Sequence, residues 1–229
     1  VTEALPKPLD PLVRGVNHAA RAVLGAENVP LWSSELPGGG ASRARPRPSG
    51  KVDAVYLPAC VNVMFGPADG PGVQVSFEAL CAKAGLNLLV PERIDALCCG
   101  TPWSSKGVPG GYEAMRAEVL PVIRAATENG RLPVVCDASS CTEGFVHLIE
   151  SDPTLEVEVI DAVGFVAQRV LPVLGDFRRI DSVTLHPTCS STQLGLNPDL
   201  VAVAQATADQ VNLPLDWGCC AFAGDRGML

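Results

Sequence analysis

At 229 residues, the chain is long enough to bury a sizeable core as one large or two small domains. Hydrophobic residues make up 47% of it and charged residues 18%, a balance typical of globular and not of disordered proteins. The net charge of −8 argues against nucleic-acid binding, and no apolar run reaches the roughly 20 residues of a membrane-spanning helix.

Residues 1–51 are predicted to be a linker or arm with one helix over residues 12–24. Proline and glycine break regular structure after that helix, especially around Gly38, Gly39 and Gly40. The short basic cluster that follows is interpreted as a solvated linker; it comprises Arg43, Arg45, Arg47 and Lys51.

Alternating strands and helices are predicted from residue 52 onward. In a first unit, residues 52–154, strands are predicted at 52–57, 86–90 and 132–136 and helices at 75–84, 112–126 and 141–149. In a second unit, residues 155–229, strands are predicted at 155–160, 182–186 and 213–217. Helices are predicted there at 162–171 and 200–211. This order predicts an α/β fold with parallel sheets.

The two units carry matching cysteine motifs. Val55-Tyr56-Leu57-Pro58-Ala59-Cys60 aligns with Thr184-Leu185-His186-Pro187-Thr188-Cys189, and the pair Cys98-Cys99 aligns with Cys219-Cys220. We therefore predict an internal duplication that gives two similar Rossmann-like α/β halves. All six cysteines follow strands, so they are expected to converge on one crevice. Because the chain stops soon after Cys220, the second repeat is expected to be truncated at its C-terminus.

Nine cysteines in a chain without a secretory signal indicate metal or redox chemistry in a reducing compartment. Thiolates select iron–sulfur clusters, zinc or copper(I), and no Cys-x-x-Cys knuckle typical of structural zinc is present. Vicinal thiolates fit neighbouring irons, which favours an iron–sulfur cluster. Cys141 is a further candidate ligand because the N-terminus of a helix would favour its thiolate. Cys81 and Cys136 are interpreted as core residues.

Other catalytic signatures are missing from the sequence. No Gly-x-Gly-x-x-Gly follows a strand, and no P-loop is found, so this chain shows no nucleotide site. No Gly-x-Ser-x-Gly motif or linked Ser/His/Asp pattern is found either.

The combined cysteine motifs resemble the duplicated cysteine-rich "CCG" domain. This domain occurs in heterodisulfide reductases, in the iron–sulfur subunits of glycolate and glycerol-3-phosphate dehydrogenases, and at the C-terminus of FAD-linked D-lactate dehydrogenases. Two stretches are most similar to the last group: Val135-Cys136-Asp137-Ala138-Ser139-Ser140-Cys141-Thr142 and Cys219-Cys220-Ala221-Phe222-Ala223-Gly224-Asp225-Arg226-Gly227. Ala221 and Ala138 depart from the family pattern.

The resemblance implies an electron-transfer module of an FAD-linked 2-hydroxy acid dehydrogenase of the D-lactate or glycolate type. It implies a [4Fe-4S] cluster, cubane or non-cubane, and seven candidate ligands: Cys60, Cys98, Cys99, Cys141, Cys189, Cys219 and Cys220. An upstream FAD-binding oxidase domain, a ferredoxin-like segment and a quinone or cytochrome acceptor would be its partners. The implied location is the cytoplasm, either free or peripheral at the inner face of the membrane.

Two other classes stay open on the residues alone. The first is a non-catalytic assembly domain that binds zinc or no metal and docks the FAD partner. The second is thiol–disulfide chemistry by a vicinal pair, which requires an accessible cysteine of low pKa.

Overall fold

A computed structural model describes residues 10–32, 40–48, 50–67 and 69–218. Its strands β1 (Ala54–Leu57), β2 (Leu88–Leu89), β3 (Val134–Cys136) and β4 (Val159–Asp161) form one sheet in the order β2-β1-β3-β4. All its pairings are parallel, so the predicted α/β class with parallel strands is confirmed. Leu57, Cys136 and Asp161 lie side by side in the last paired row. That row marks the carboxyl edge of the sheet.

The central strands are apolar along their whole length because helices cover both faces of the sheet. Val55, Tyr56, Val134 and Val135 are completely buried. They pack in one core with apolar residues from the covering helices, and Phe77 also makes aromatic contacts with Tyr56 and Phe165. Burial on both faces explains why the strands show no alternation of apolar and polar residues.

One helix precedes the first strand, and the others occupy the intervals between the strands. They are α1 (Asp10–Leu24), α2 (Val61–Met64), α3 (Val73–Lys83), α4 (Thr101–Ser105), α5 (Pro109–Ala126), α6 (Ser139–Glu150), α7 (Ala162–Phe165), α8 (Cys189–Gln193) and α9 (Asn197–Thr207). A π-helical turn (Val166–Val170) continues α7, and a 3₁₀ turn (Ile94–Ala96) precedes α4. None of the helices in the described ranges combines the length and apolarity needed to cross a bilayer.

The second unit differs from the first. Its strands β5 (Ile180–Thr184) and β6 (Ala208–Asn212) form a separate two-stranded parallel sheet. β4 lies beyond residue 154, where the second repeat is predicted to begin, yet it pairs with β3 in the first sheet. The internal duplication is therefore not confirmed. Cys219 and Cys220, on which half of that prediction rests, lie outside the described residues.

The predicted strand at 213–217 is wrong. The strand is β6, at residues 208–212, most of which are predicted from the sequence to belong to the end of the preceding helix. α9 ends at Thr207, and Ala208 has extended backbone angles (φ −131°, ψ 150°). Asp209, Val211 and Asn212 are weak helix formers, and pairing with β5 supplies their backbone hydrogen bonds instead. Helical spacing of apolar residues alone did not reveal this change.

Residues 40–48 lie against the first unit. The backbone N–H of Gly40 donates to the Val63 carbonyl at 2.9 Å, and the Gln74 side-chain amide donates to the Ala44 carbonyl at 2.8 Å. Arg43 is only 6% exposed. The interpretation of the basic cluster as solvated is therefore wrong for Arg43, whose guanidinium finds buried partners.

Gly130 tests how the turn before β3 packs against the segment that leads into β4. It has φ +92°, and an added Cβ would overlap the carbonyl oxygen of Glu156, in the segment that leads into β4. Gly85 has φ +74° with open space around it. Both Gly→Ala changes force alanine into a left-handed conformation, but only Gly130→Ala also displaces backbone. We expect unfolding free energies lower by about 1 kcal/mol for G85A and about 3 kcal/mol for G130A, measured by urea denaturation. Equal losses would contradict this packing.

Candidate metal centre

Three cysteine-bearing segments, two loops and the first turn of α6, leave the carboxyl edge of the first sheet. Cys60 follows β1, the pair Cys98-Cys99 follows β2, and Cys141 follows β3. Because β2, β1 and β3 are neighbours and parallel, their following loops emerge at the same edge. The sheet order therefore brings together cysteines that are far apart in the chain.

The sulfur of Cys99 is the centre of this group. Cys99 is 6% exposed, and the thiols of Cys141 and Cys98 both hydrogen-bond to its sulfur. These two bonds lower the pKa of Cys99 well below its usual range, against the effect of burial. The same bonds, together with burial, raise the pKa of Cys98 and Cys141. The three sulfurs therefore titrate as one set, with the first negative charge on Cys99.

Backbone and hydroxyl groups hold the loop that carries Cys98 and Cys99 in place. The N–H of Gly100 donates to the Cys98 sulfur at 3.4 Å, and the Cys99 sulfur lies 3.3 Å from the Thr101 hydroxyl oxygen. The Thr101 hydroxyl in turn donates to the Ser140 carbonyl at 3.2 Å, one residue before Cys141. The loop after β2 is thus tied directly to the start of α6.

Gly144 lets α6 approach the vicinal pair. A Cβ at this position would lie 2.7 Å from the Cys99 carbonyl oxygen and 2.5 Å from the Thr101 hydroxyl oxygen. Only a residue without a side chain fits there. Sequence reasoning missed Gly144, since a single glycine in a helical pattern normally indicates a weak point of the helix.

Asp137 joins the loop after β3 to β1 and its loop. One carboxylate oxygen accepts from the Ala59 N–H at 2.7 Å, and the other accepts from the Tyr56 hydroxyl at 2.6 Å and the Asn62 side-chain amide at 2.8 Å. Burial raises the pKa of Asp137, while these hydrogen bonds act in the opposite direction. Cys60 lies between Ala59 and Asn62, so one carboxylate fixes both sides of that cysteine.

A second carboxylate, which is fully buried, supports α6 beside Cys141. The Thr142 hydroxyl donates to one oxygen of Asp161 at 2.9 Å, and the Val163 N–H donates to the other at 2.9 Å. Asp161 is 4% exposed and ends β4. Sequence reasoning missed both Asp137 and Asp161; their position directly at a strand end was the available signal.

The remaining cysteines have distinct surroundings. Cys60 is exposed at the start of α2, and a negative charge on its sulfur would add to the rise in pKa of Cys98 and Cys141. Cys189 is exposed at the start of α8, which packs against α6. Cys81 and Cys136 are completely buried, as predicted for core residues, although Cys136 also acts electrostatically on Cys141. Of the predicted ligands, the structure thus brings Cys98, Cys99 and Cys141 into hydrogen-bonding contact, while Cys60 acts on Cys98 and Cys141 electrostatically.

The donors at this edge are soft sulfur atoms from two loops and the first turn of α6, and such donors are the ligands of iron–sulfur clusters. Within the described ranges, no group of three or more His, Cys, Asp or Glu side chains is arranged to hold a metal ion. The argument that these residues suit a cluster therefore rests on three features: the soft sulfur donors, the convergence of these donors and the stabilised thiolate of Cys99.

Comparisons with known proteins add no further assignment. The chain matches no protein-family profile, and no curated protein or solved structure is significantly similar to it. The resemblance to the CCG domain therefore remains a prediction from the quoted motifs.

Removing the Asp137 carboxylate tests its role in joining the two loops. Asp137→Asn keeps the shape but leaves one acceptor oxygen for three donors, so at least one buried donor loses its partner. We expect the unfolding free energy of the reduced, metal-free protein to fall by about 2 kcal/mol or more. Tyr56→Phe is the matched control, which removes one donor only and costs about 1 kcal/mol. A loss for D137N no larger than for Y56F would contradict this role.

Alkylation separates the core cysteines from those at the sheet edge. Burial raises the pKa of the Cys81 thiol to about 12, so at neutral pH it holds about a thousand-fold less thiolate than an ordinary cysteine. We expect iodoacetamide to modify exposed Cys60 at least about 100-fold faster than Cys81 in the native protein, as measured by peptide mass spectrometry. In urea the two rates should become similar. Comparable native rates would show that Cys81 is accessible.

Proposed function

We propose that this chain is an iron–sulfur electron-transfer module of an FAD-linked 2-hydroxy acid dehydrogenase of the D-lactate or glycolate type. One observation carries the proposal: at the carboxyl edge of a parallel sheet, the thiols of Cys98 and Cys141 both hydrogen-bond to the sulfur of Cys99. The resemblance to the CCG domain, carried by the same residues, supports it.

Cys60, Cys98, Cys99 and Cys141 would hold a [4Fe-4S] cluster, cubane or non-cubane. Cys189, Cys219 and Cys220 would provide a second set from the other unit. When bound, such a cluster supplies one-electron transfer, which lets a two-electron oxidation at the flavin proceed to the acceptor in single steps.

The protein residues themselves would prepare the ligands. The hydrogen bonds to Cys99 favour its thiolate, which is the form that binds metal. Asp137 and Asp161 orient the loops that carry Cys60 and Cys141. Groups of this kind around a metal site set the orientation of its ligands and hence its affinity.

The partners in this proposal are an FAD-binding oxidase domain and a ferredoxin-like segment of the same enzyme, with a quinone or cytochrome as acceptor. This chain alone would not oxidise the substrate, because the flavin lies on the other domain. We place the module in the cytoplasm, free or peripheral at the inner face of the membrane, where the thiols stay reduced.

Anaerobic reconstitution with ferrous iron and sulfide tests the proposal. We expect a brown protein with about four irons and four sulfides per cluster and an EPR signal after reduction. Cys99→Ser should abolish iron binding, because Cys99 joins the other sulfurs. Cys81→Ala is the matched buried control and should bind iron like the wild type.

Three results would contradict the proposal: a colourless wild-type protein after reconstitution, zinc as its only metal, or equal iron in C99S and C81A. Zinc retained without iron would instead favour the assembly-domain alternative.

A further inference from the structure

Arg43 is a buried cation in the segment that precedes the first strand. Its guanidinium Nη1 donates to the Pro58 carbonyl at 3.2 Å, a buried contact, and its Nε lies 3.4 Å from a carboxylate oxygen of Asp95. The side chain is 7% exposed, whereas that of Asp95 is 52% exposed. Burying a guanidinium is costly unless it is paired, so both contacts matter to its position.

The two partners of Arg43 belong to two different cysteine loops. Pro58 begins the loop that carries Cys60, and Asp95 lies in the 3₁₀ turn just before Cys98 and Cys99. One planar guanidinium therefore spans the loops after β1 and β2. A lysine could not do the same, because its single ammonium group lacks the fork geometry of arginine.

The backbone on either side of Arg43 is held independently of it. Gly40 donates to Val63 on α2, and Ala44 exchanges two hydrogen bonds with Gln74 on α3. Arg45 donates to the Glu92 carbonyl at 2.8 Å and also pairs with Asp95. The segment is thus held at residues 40, 44 and 45, and the side chain of Arg43 points inward from it.

We propose that Arg43 is a positioning residue of the cysteine site, which sets the distance between the Cys60 loop and the Cys98-Cys99 loop. It acts on the sulfurs indirectly, through its contacts with Pro58 and Asp95. Its relevance to iron rests on the proposed function, but the positioning concerns the protein alone and can be measured without metal.

The variants Arg43→Ala, Arg43→Lys and Arg45→Ala separate bridging from other roles. R43A removes both contacts, and R43K keeps the charge without the fork. R45A is the matched control, since Arg45 shares Asp95 but makes its backbone contact with Glu92 and not with Pro58. If R43A does not fold, R43K decides the question.

Hydrogen exchange of the metal-free, reduced protein is the primary measurement. We expect R43A, and to a smaller extent R43K, to increase exchange about tenfold in peptides covering residues 58–66 and 94–100 together. Peptides covering β3 should stay as in the wild type, and R45A should affect residues 92–97 alone. Wild-type exchange in R43A and R43K, or a uniform increase that includes β3, would overturn the proposal.

Iron loading at limiting iron is the second measurement. We expect the affinity of R43A to fall about tenfold and that of R45A to match the wild type. Equal loading of all three proteins would overturn the proposal. If the wild type itself binds no iron, the proposed function fails, while the exchange measurement still decides the role of Arg43.

Discussion

The arrangement of the cysteine-bearing segments depends on the half-buried carboxylate of Asp137. It takes hydrogen bonds from a strand residue, from the loop after that strand and from the short helix beyond it. Since desolvation disfavours its charge, the carboxylate is stable there only with its donors in place. The hydrogen bonds that stabilise the Asp137 carboxylate therefore also determine the position of Cys60 relative to β3. Arg43 has the equivalent role on the other side, toward the loop after β2.

Short-range contacts, and not the helix dipole, decide which sulfur carries the first charge. The start of α6 is expected from the sequence to favour a thiolate at Cys141, an effect worth about 0.3–1 kcal/mol. In the structure Cys141 instead donates to Cys99, which also receives the hydrogen bond from Cys98. Gly144 permits this contact by letting α6 lie directly on the vicinal pair. The charge thus sits on the residue with the most donors around it.

Sequence alone could predict the first unit better than the second. Apolar runs predict β1 and β3, and helical spacing predicts α5 and α6, because those elements bury one continuous surface. Strand ends then predict that Cys60 and the vicinal pair meet, whereas Cys141 is a candidate only because it lies at the start of a helix. The change from helix to strand after Thr207 depends on pairing with β5, which no local pattern contains. The burial of Arg43 likewise depends on partners from distant loops. From the sequence alone, its charge predicts a solvent-exposed side chain.

The parallel strand order of the first sheet also determines when, during folding, the cysteines come close together. Parallel strands cannot pair through a local hairpin, and β1 lies between two strands that both follow it in the chain. Closing loops of that length is slow compared with forming helices. During synthesis, Cys60 and the vicinal pair therefore leave the ribosome before Asp137 and Cys141, which gather them. Their thiols therefore stay exposed to oxidants and to metal ions until β3 docks.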